Sequence, residues 1–397
     1  MTSVKKNFLY NVAYQLLAIA IPLVTMPYLS RVLGATGLGE YSYTYGIVEC
    51  FGLFTLLGVN NYGNRTVAQN RVKGGDVSKV FWEIYAFQLF VGFLVVAAYL
   101  VYLFLLCDAN PLISAIWVLY LVSALLDVNW FFFGMEKFKL TVTRDTAVKL
   151  LTFLSIFVFV HDSGDVWKYC CLLAVGALLA QAVMWPFVVR TVQWRRPSLS
   201  GIASHVKPNL VLFIPVVAVN LYQVVDRVFL GWIAGYYEAG LFDNAYKVSV
   251  IPFAVVTALG TVMLPRATNL IAQGEIEQCR KYLVNSFWLT SIFSSAIMFG
   301  IAGISFELAP VYFGDEFASC SLMILILIFD IPFRTWGNVI RTQYLMPLGR
   351  DKTFVGSVVA GAVVNVALNL ALIPFFGALG ASIATFLTEA TVCMYQV

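Results

Sequence analysis

Residues 8–30 read FLYNVAYQLLAIAIPLVTMPYLS, an apolar run without a charged side chain that decides the fold class. A helix of about 20 apolar residues is long enough to cross the hydrocarbon core of a bilayer. Lys5 and Lys6 precede the run as in a secretory signal, yet the run is long enough to span and no small-residue cleavage pattern comes before Arg31. We therefore expect a first transmembrane helix that is retained.

The composition extends this conclusion to the whole chain. Of the 397 residues, 60% are hydrophobic and 12% carry a formal charge, and the mean hydropathy is +0.84. A soluble domain is closer to half apolar and a quarter charged. No loop between the apolar runs is long enough to hold a soluble catalytic domain, which argues against an enzyme.

Apolar windows of transmembrane length recur along the chain. The first six are 8–30, 41–59, 80–106, 111–133, 148–161 and 167–190, and the last six are 209–234, 243–264, 283–304, 318–345, 353–376 and 378–397. They predict an all-α polytopic membrane protein with about 12 transmembrane helices.

Basic residues between the windows predict the orientation. Of the 25 lysines and arginines, 19 fall on one side of the predicted membrane: Lys5, Lys6, Arg65, Arg71, Lys73, Lys79, Lys137, Lys139, Arg144, Lys149, Arg190, Arg195, Arg196, Lys207, Arg266, Arg280, Lys281, Arg350 and Lys352. The positive-inside rule places that side, and both termini, in the cytoplasm. The net charge of +4 therefore reports topology, and we expect no nucleic-acid partner.

The seven cysteines mostly lie inside apolar runs and show no C-x-x-C spacing: Cys50, Cys107, Cys170, Cys171, Cys279, Cys320 and Cys393. His161 and His205 are the two histidines that could join them as ligands. We expect no disulfide framework, no metal site and no cofactor.

The two halves of the chain resemble each other at a shift of about 200 residues. Gly39-x-Tyr41-x-x-x-Tyr45 recurs as Gly240-x-Phe242-x-x-x-Tyr246. With six windows in each half, both halves enter the membrane from the same side. The repeat predicts two six-helix lobes, 1–196 and 197–397, related by a pseudo-two-fold axis along the membrane normal.

Prolines mark the first helix of each predicted lobe, Pro22 and Pro27 in one and Pro215 in the other. A proline removes a backbone donor and bends a helix. Two interpretations stay open: kinks that serve packing, and bends that move during function.

Four ordered strings at helix boundaries carry a family resemblance: PYLSRVLGATGLGEYSY at 27–43, GVNNYGNRT at 58–66, DVNWFFFGMEKFK at 127–139 and ALGTVMLPR at 258–266. With these four strings, the chain resembles the O-antigen and capsular repeat-unit flippases of the multidrug/oligosaccharidyl-lipid/polysaccharide exporter superfamily. The resemblance implies two six-helix bundles, alternating access across the bacterial inner membrane, and a polyprenyl-pyrophosphate-linked oligosaccharide as cargo. It further implies membrane lipid and downstream polysaccharide polymerase machinery as partners.

Cations within or at the ends of the apolar windows are candidates for binding the pyrophosphate: Arg31, Arg227, Lys247, Arg334 and Arg341. Each costs about 2.5–3.5 kcal/mol at the bilayer centre on insertion scales unless it meets water or a partner. Guanidinium suits phosphate because it donates two parallel hydrogen bonds and stays ionised. We expect Arg227 and Lys247 to face a common water-filled cleft, and we treat neither as having a carboxylate one turn away on its own helix.

Structural alternatives exist for the same cations. Asp330 and Arg334 are four residues apart, a spacing that favours an ion pair within one helix. Arg31, Lys247 and Arg341 could instead extend their side chains to a membrane interface.

Carboxylates inside the membrane are candidates for ion coupling: Glu49, Asp127 and Glu389. Glu83 lies at the mouth of the third window. Burial suits a carboxylate for carrying a proton. The alternative is that each one pairs with a nearby arginine or a backbone donor.

Three functions compete. A lipid-linked oligosaccharide flippase needs arginines for a pyrophosphate, whereas an ion-coupled exporter of drugs or organic cations needs carboxylates. A polysaccharide polymerase or glycosyltransferase needs a sizeable loop or a metal-binding acidic pair. The surplus of arginine and lysine favours the flippase.

Overall fold

The computed structural model describes the backbone of residues 2–397. It describes side chains from residue 20 onward, except those of residues 212, 214–216, 218–219, 221–223, 255–259, 261–262 and 265. The side chains of Lys5, Lys6 and Pro215, which entered the predictions above, lie outside the described residues.

The described backbone is helical and contains no strand between residues 2 and 397. The helices are α1 (Thr2–Leu56), α2 (Val59–Val72), α3 (Val77–Leu105), α4 (Pro111–Ile116), α5 (Val118–Leu125), α6 (Asn129–Gly134), α7 (Phe138–Phe159), α8 (Val166–Ala182), α9 (Trp185–Thr191), α10 (Leu199–Ile233), α11 (Tyr236–Ala272), α12 (Ile276–Phe313), α13 (Cys320–Ile328), α14 (Ile331–Ile340) and α15 (Asp351–Gln396). Arg341–Leu345 adds a π-turn.

Seven helical stretches of the described chain are long and apolar enough to cross a membrane: Ala20–Val72, Val77–Leu105, Pro111–Gly134, Ser163–Thr191, Ile276–Phe313, Cys320–Leu345 and Asp351–Gln396. The all-α polytopic fold class predicted from the sequence is therefore confirmed. The start of the short window 148–161 differs by ten residues, as does that of 209–234, because α7 begins at Phe138 and takes in Arg144, and α10 begins at Leu199. A charged residue inside a helix shortened the apolar window.

Glycines with positive φ separate helices that follow one another closely. Gly34 (φ 68°) interrupts α1 and Gly377 (φ 53°) interrupts α15, in a region that suits glycine because it lacks a Cβ. In each case a remote carboxylate accepts the next backbone N–H. Glu316 Oε1 lies 3.1 Å from the nitrogen of Ala35, and Glu238 Oε2 lies 2.8 Å from the nitrogen of Ala378. These bonds satisfy donors that a new helix leaves free.

The chain divides into two compact units. Unit 1 comprises the chain up to Thr25 together with Thr44–Val217, and unit 2 comprises Met26–Tyr43 together with Ala218–Val397. Helix α10 therefore contributes its first part to unit 1 and its last part to unit 2. The lobes 1–196 and 197–397 stay a prediction.

A buried amide holds the broken helices of unit 1 together. Gln88 Nε2 donates to the carbonyls of Ala124, Leu125 and Asp127 at 3.1, 3.2 and 2.9 Å. Its Oε1 accepts from the indole of Trp130 at 3.0 Å. Carbonyls at and just beyond the end of α5 thus find a donor inside the protein, as a lipid environment requires.

Unit 2 contains a close crossing of two helix backbones. A Cβ built on Gly39 would lie 1.6 Å from the carbonyl oxygen of Tyr236, and one built on Gly240 would lie 1.9 Å from that of Ala35. Only glycine allows this approach, which is a common way for helices to associate in membranes. The repeat noticed in the sequence therefore places its two glycines against each other.

Alanine at position 39 should disrupt unit 2, because the new methyl group would overlap a backbone carbonyl. We expect Gly39→Ala to lower both the yield of monodisperse protein and its Tm in detergent. Gly300→Ala is the matched control: nothing lies within 4 Å of its added Cβ, and alanine improves helix propensity by about 1 kcal/mol. A wild-type Tm for Gly39→Ala would contradict the backbone contact.

Candidate functional site

One buried carboxylate in unit 2 gathers two of the predicted cations. Asp243 in α11 has 2% of its surface exposed. Its Oδ1 lies 3.3 Å from Nε of Arg227 in α10, and its Oδ2 lies 2.5 Å from Nζ of Lys247. We call Arg227, Asp243 and Lys247 the Asp243 centre. It brings together two positive charges and one negative charge.

The two cations of the Asp243 centre are more exposed than the acid between them. The Lys247 side chain is 31% exposed and that of Arg227 is 19% exposed, against 2% for Asp243. The ammonium of Lys247 also lies 5.6 Å from the ring centroid of Tyr41. The centre therefore presents its positive side and hides its negative side.

Lys247 has a carboxylate partner that the sequence interpretation missed. Asp243 stands four residues earlier on the same helix and pairs with it. The expectation that neither cation has a partner one turn away is wrong for Lys247. The spacing is visible in the sequence, and four residues is the distance at which opposite charges meet on a helix.

Arg334 lies in a separate buried cluster of unit 2. Its guanidinium approaches Oδ2 of Asp330 at 3.7 Å and Oε1 of Glu389 at 3.4 Å, and donates to the hydroxyl of Tyr246 at 3.2 Å. It also lies 4.7 Å from the ring centroid of Phe253. Two carboxyl groups and one guanidinium thus meet in this cluster. The ion pair considered for Arg334 is therefore present, and Glu389 takes part in it.

The other two predicted cations are engaged elsewhere in unit 2. Arg31 is exposed and donates to the carbonyls of Pro27 at 2.9 Å and Val311 at 2.6 Å. Arg341 opens the π-turn, and its guanidinium lies 5.6 Å from the ring centroid of Phe354. Arg31 thus ties the end of a helix to the end of α12.

The two remaining candidates for ion coupling lie in unit 1. Asp127 is buried, and its Oδ1 accepts from the backbone nitrogen of Asn129 at 2.8 Å, at the start of α6. A carboxylate that accepts from the backbone two residues on forms an Asx turn, here directly before α6. Glu49 is half-buried in α1.

Sequence reasoning missed Asp226, which is buried at 3% exposure. Its carboxylate accepts from Asn365 Nδ2 at 2.8 Å, Asn369 Nδ2 at 2.5 Å and Thr385 Oγ1 at 2.8 Å. All three donors come from α15. The sequence did contain a signal for this polar site. Asn365 and Asn369 are four residues apart in an apolar run, a spacing that puts both on one helix face. These bonds fasten the last part of α10 to α15.

Arg144 is also buried, although it is one of the basic residues predicted to lie between the apolar windows. It is 6% exposed, its Nε lies 3.2 Å from Asp145 Oδ1, and its guanidinium donates to the carbonyl of Ala180 and to Asn129 Oδ1. It joins α7 to α8 and α6 inside unit 1.

Comparison with known proteins gives the family. The model of the polysaccharide biosynthesis protein family matches residues 4–271. The chain is 23% identical to a Shigella dysenteriae protein named "Putative O-antigen transporter", over 99% of this chain and 98% of that protein.

Two solved structures share the fold. One is an inward-facing multidrug resistance MATE family transporter, with a TM-score of 0.73 and 13% identity, over 96% of this chain and 92% of that one. The other is the lipid II flippase MurJ in an inward closed conformation, with a TM-score of 0.71 and 12% identity, over 98% and 86%. Because the family model covers more than half of its residues, the chain belongs to the polysaccharide biosynthesis protein family.

Proposed function

We propose that this protein is a flippase that moves a polyprenyl-pyrophosphate-linked oligosaccharide repeat unit across the bacterial inner membrane by alternating access. The observation that carries the proposal is the Asp243 centre, in which Arg227 and Lys247 keep a net positive charge partly exposed among apolar helices. The names of two relatives, "Putative O-antigen transporter" and "Probable low-salt glycan biosynthesis flippase Agl15", agree with this cargo.

The positive charge of the centre suits the part of transport that costs the most free energy, which is the burial of the cargo's pyrophosphate. A pyrophosphate carries about two negative charges, and burying one ion costs several kcal/mol even after relaxation. Fixed cations replace the hydration that the phosphates lose. The carboxylate of Asp243 keeps both cations in place before the cargo arrives, so that less ordering is needed on binding.

The rival interpretation, an exporter of organic cations, would use the opposite charge. The buried acids of unit 2, Asp330 and Glu389, face Arg334 and are 0% and 6% exposed. They are therefore occupied by a protein cation. The partly exposed charge at the Asp243 centre is positive, which favours an anionic cargo.

We further propose about 12 transmembrane helices in two six-helix bundles, related by a pseudo-two-fold axis along the membrane normal. The glycine breaks support this arrangement: Gly34 and Gly39 repeat as Gly235 and Gly240, and Gly235 also has a positive φ of 91°. Equivalent residues contact each other only near a two-fold axis, and Gly39 and Gly240 are in contact.

Orientation and partners complete the proposal. The basic residues between helices favour an inner-membrane protein with both termini in the cytoplasm. The cargo headgroup enters from the cytoplasmic leaflet, and polysaccharide polymerase machinery on the other side consumes it. Arg31, Arg334 and Arg341 serve to hold unit 2 together more than to touch cargo, and ion coupling through Glu49, Asp127 or Glu389 remains a proposal.

Removing the Arg227 guanidinium should abolish or strongly slow flipping. One charge-assisted hydrogen bond is worth about 1.5–3 kcal/mol, so we expect Arg227→Ala to reduce the transport rate roughly 10- to 100-fold. Arg227→Lys should be partly active, because it keeps the charge without the bidentate geometry. Arg227→Glu should be inactive. The measurement is delivery of lipid-linked glycan to the outer leaflet at matched expression.

Arg350→Ala is the matched control, because Arg350 is exposed and lies over the ring of Tyr344 outside the Asp243 centre. It should transport normally. Wild-type rates for Arg227→Ala would show that this guanidinium does not bind the cargo.

Cysteines placed at Lys73 and Arg195 should be inaccessible from outside intact cells. The positive-inside rule assigns both Lys73 and Arg195 to the cytoplasmic side. A membrane-impermeant maleimide should label a cysteine at Asp315, because the segment between the windows 283–304 and 318–345 falls on the opposite side of the predicted membrane. The parent protein gives the background from its seven cysteines. Labelling at Lys73 or Arg195 from outside would overturn the orientation.

A further inference from the structure

A buried histidine at the head of α10 lies between a tyrosine and a glutamate. His205 is 7% exposed and Glu83 of α3 is 5% exposed. Nδ1 of His205 lies 2.7 Å from the hydroxyl of Tyr62 in α2, and its Nε2 faces Glu83 Oε2 at 3.6 Å. Among the described residues Nε2 has no hydrogen-bond partner. All three groups belong to unit 1.

Close packing fixes the glutamate against the first turns of α10. Ser198 Oγ donates to Glu83 Oε1 at 2.9 Å. A Cβ built on Gly201 would lie 1.9 Å from that same oxygen, so the helix backbone touches the carboxylate. Ile202 and Val206 pack against the aromatic cluster of unit 1. The carboxylate is therefore held beside the imidazole and away from bulk water.

The charge of the pair depends on one proton. With the imidazole neutral and Glu83 ionised, the pair carries one buried negative charge; with one proton added, its net charge is zero. An unneutralised charge in a low-dielectric site is costly. The titratable groups that the packed helices direct at the imidazole are Tyr62 from α2 and Glu83 from α3, and neither is a cation.

We propose that His205 and Glu83 together form a proton-binding site, oriented by Tyr62, whose occupancy changes how firmly the head of α10 packs against α2 and α3. Burial lowers the pKa of the His205 imidazole, and the neighbouring Glu83 carboxylate opposes this only in part. By linkage, the packed state binds the proton less tightly than a hydrated imidazole does, so attachment of the head of α10 to unit 1 weakens on protonation.

The position of the site gives it a transport role. α10 starts at this site in unit 1 and carries Asp226 and Arg227 in its last part, which belongs to unit 2. A proton that changes the packing at one end of this helix biases a segment that also carries a residue of the Asp243 centre. This proton site does not depend on the identity of the cargo, and it adds the imidazole of His205 to Glu83, the acid at the mouth of the third window.

The decisive experiment observes the imidazole directly. The chain has two histidines, and His161 is exposed, so His161→Asn leaves His205 as the only one. We expect ¹⁵N-histidine NMR of that variant in nanodiscs, without cargo, to show His205 gaining a proton as the pH is lowered from about 8 to about 4, with a midpoint below that of a free imidazole. Adding Glu83→Gln should move the midpoint to lower pH by about one unit or more, because the countercharge is gone.

Tyr62→Phe tests the geometry without removing a charge. It should keep the protein folded and change the Nδ1 chemical shift, since the 2.7 Å contact is lost. A His205 signal that keeps one charge state across that pH range overturns the proposal. So does a midpoint unaffected by Glu83→Gln.

A transport assay tests whether the proton site affects function. The pH dependence of flipping in proteoliposomes should be retained in His161→Asn and lost in His205→Asn. An unchanged pH profile in folded His205→Asn would overturn the coupling role. The NMR titration uses no cargo, so its result does not depend on the proposed flippase function. If that function is wrong, the wild-type protein will fail to deliver glycan in the transport assay.

Discussion

The polar interior depends on one constraint: a buried donor, acceptor or charge must find its partner within the protein, because lipid offers none. Asp243 meets it with two cations from two helices. Gln88 meets it by serving the carbonyls at the end of α5. Each solution joins helices that apolar packing alone would hold weakly, since lipid competes equally well for apolar side chains. Polar pairing therefore specifies which helices are neighbours.

Periodicity and composition were sufficient for the helical membrane fold, because apolar runs of spanning length have few other interpretations. They also located the glycine turn near Gly34 and the cations Arg227 and Lys247. What they could not supply were partners on other helices. Asp226 binds residues about 140 to 160 positions away in sequence, and no local pattern encodes such a pairing. The loop assignment of Arg144 failed for a related reason: besides the adjacent Asp145, its partners are groups 15 and 36 positions away in sequence.

Helix α10, like α1, contributes residues to both units. Its head packs on α2 and α3, whereas its last part is fastened to α15 by Asp226 and to α11 by Arg227. Both ends are anchored by polar side chains, and polar anchors respond to protons and anions in a way that apolar contacts do not. The chemistry of this helix thus suits an element whose position is to be changed by binding.

The spacing of the glycines has a consequence for how this sequence can vary over time. Gly34 and Gly39, like Gly235 and Gly240, stand five residues apart. A single inserted or deleted residue between them would rotate the following helix by about 100° and turn the glycine away from the crossing. Although each break looks like a loop, in which length changes are ordinarily tolerated, these short segments should admit substitutions but not insertions or deletions.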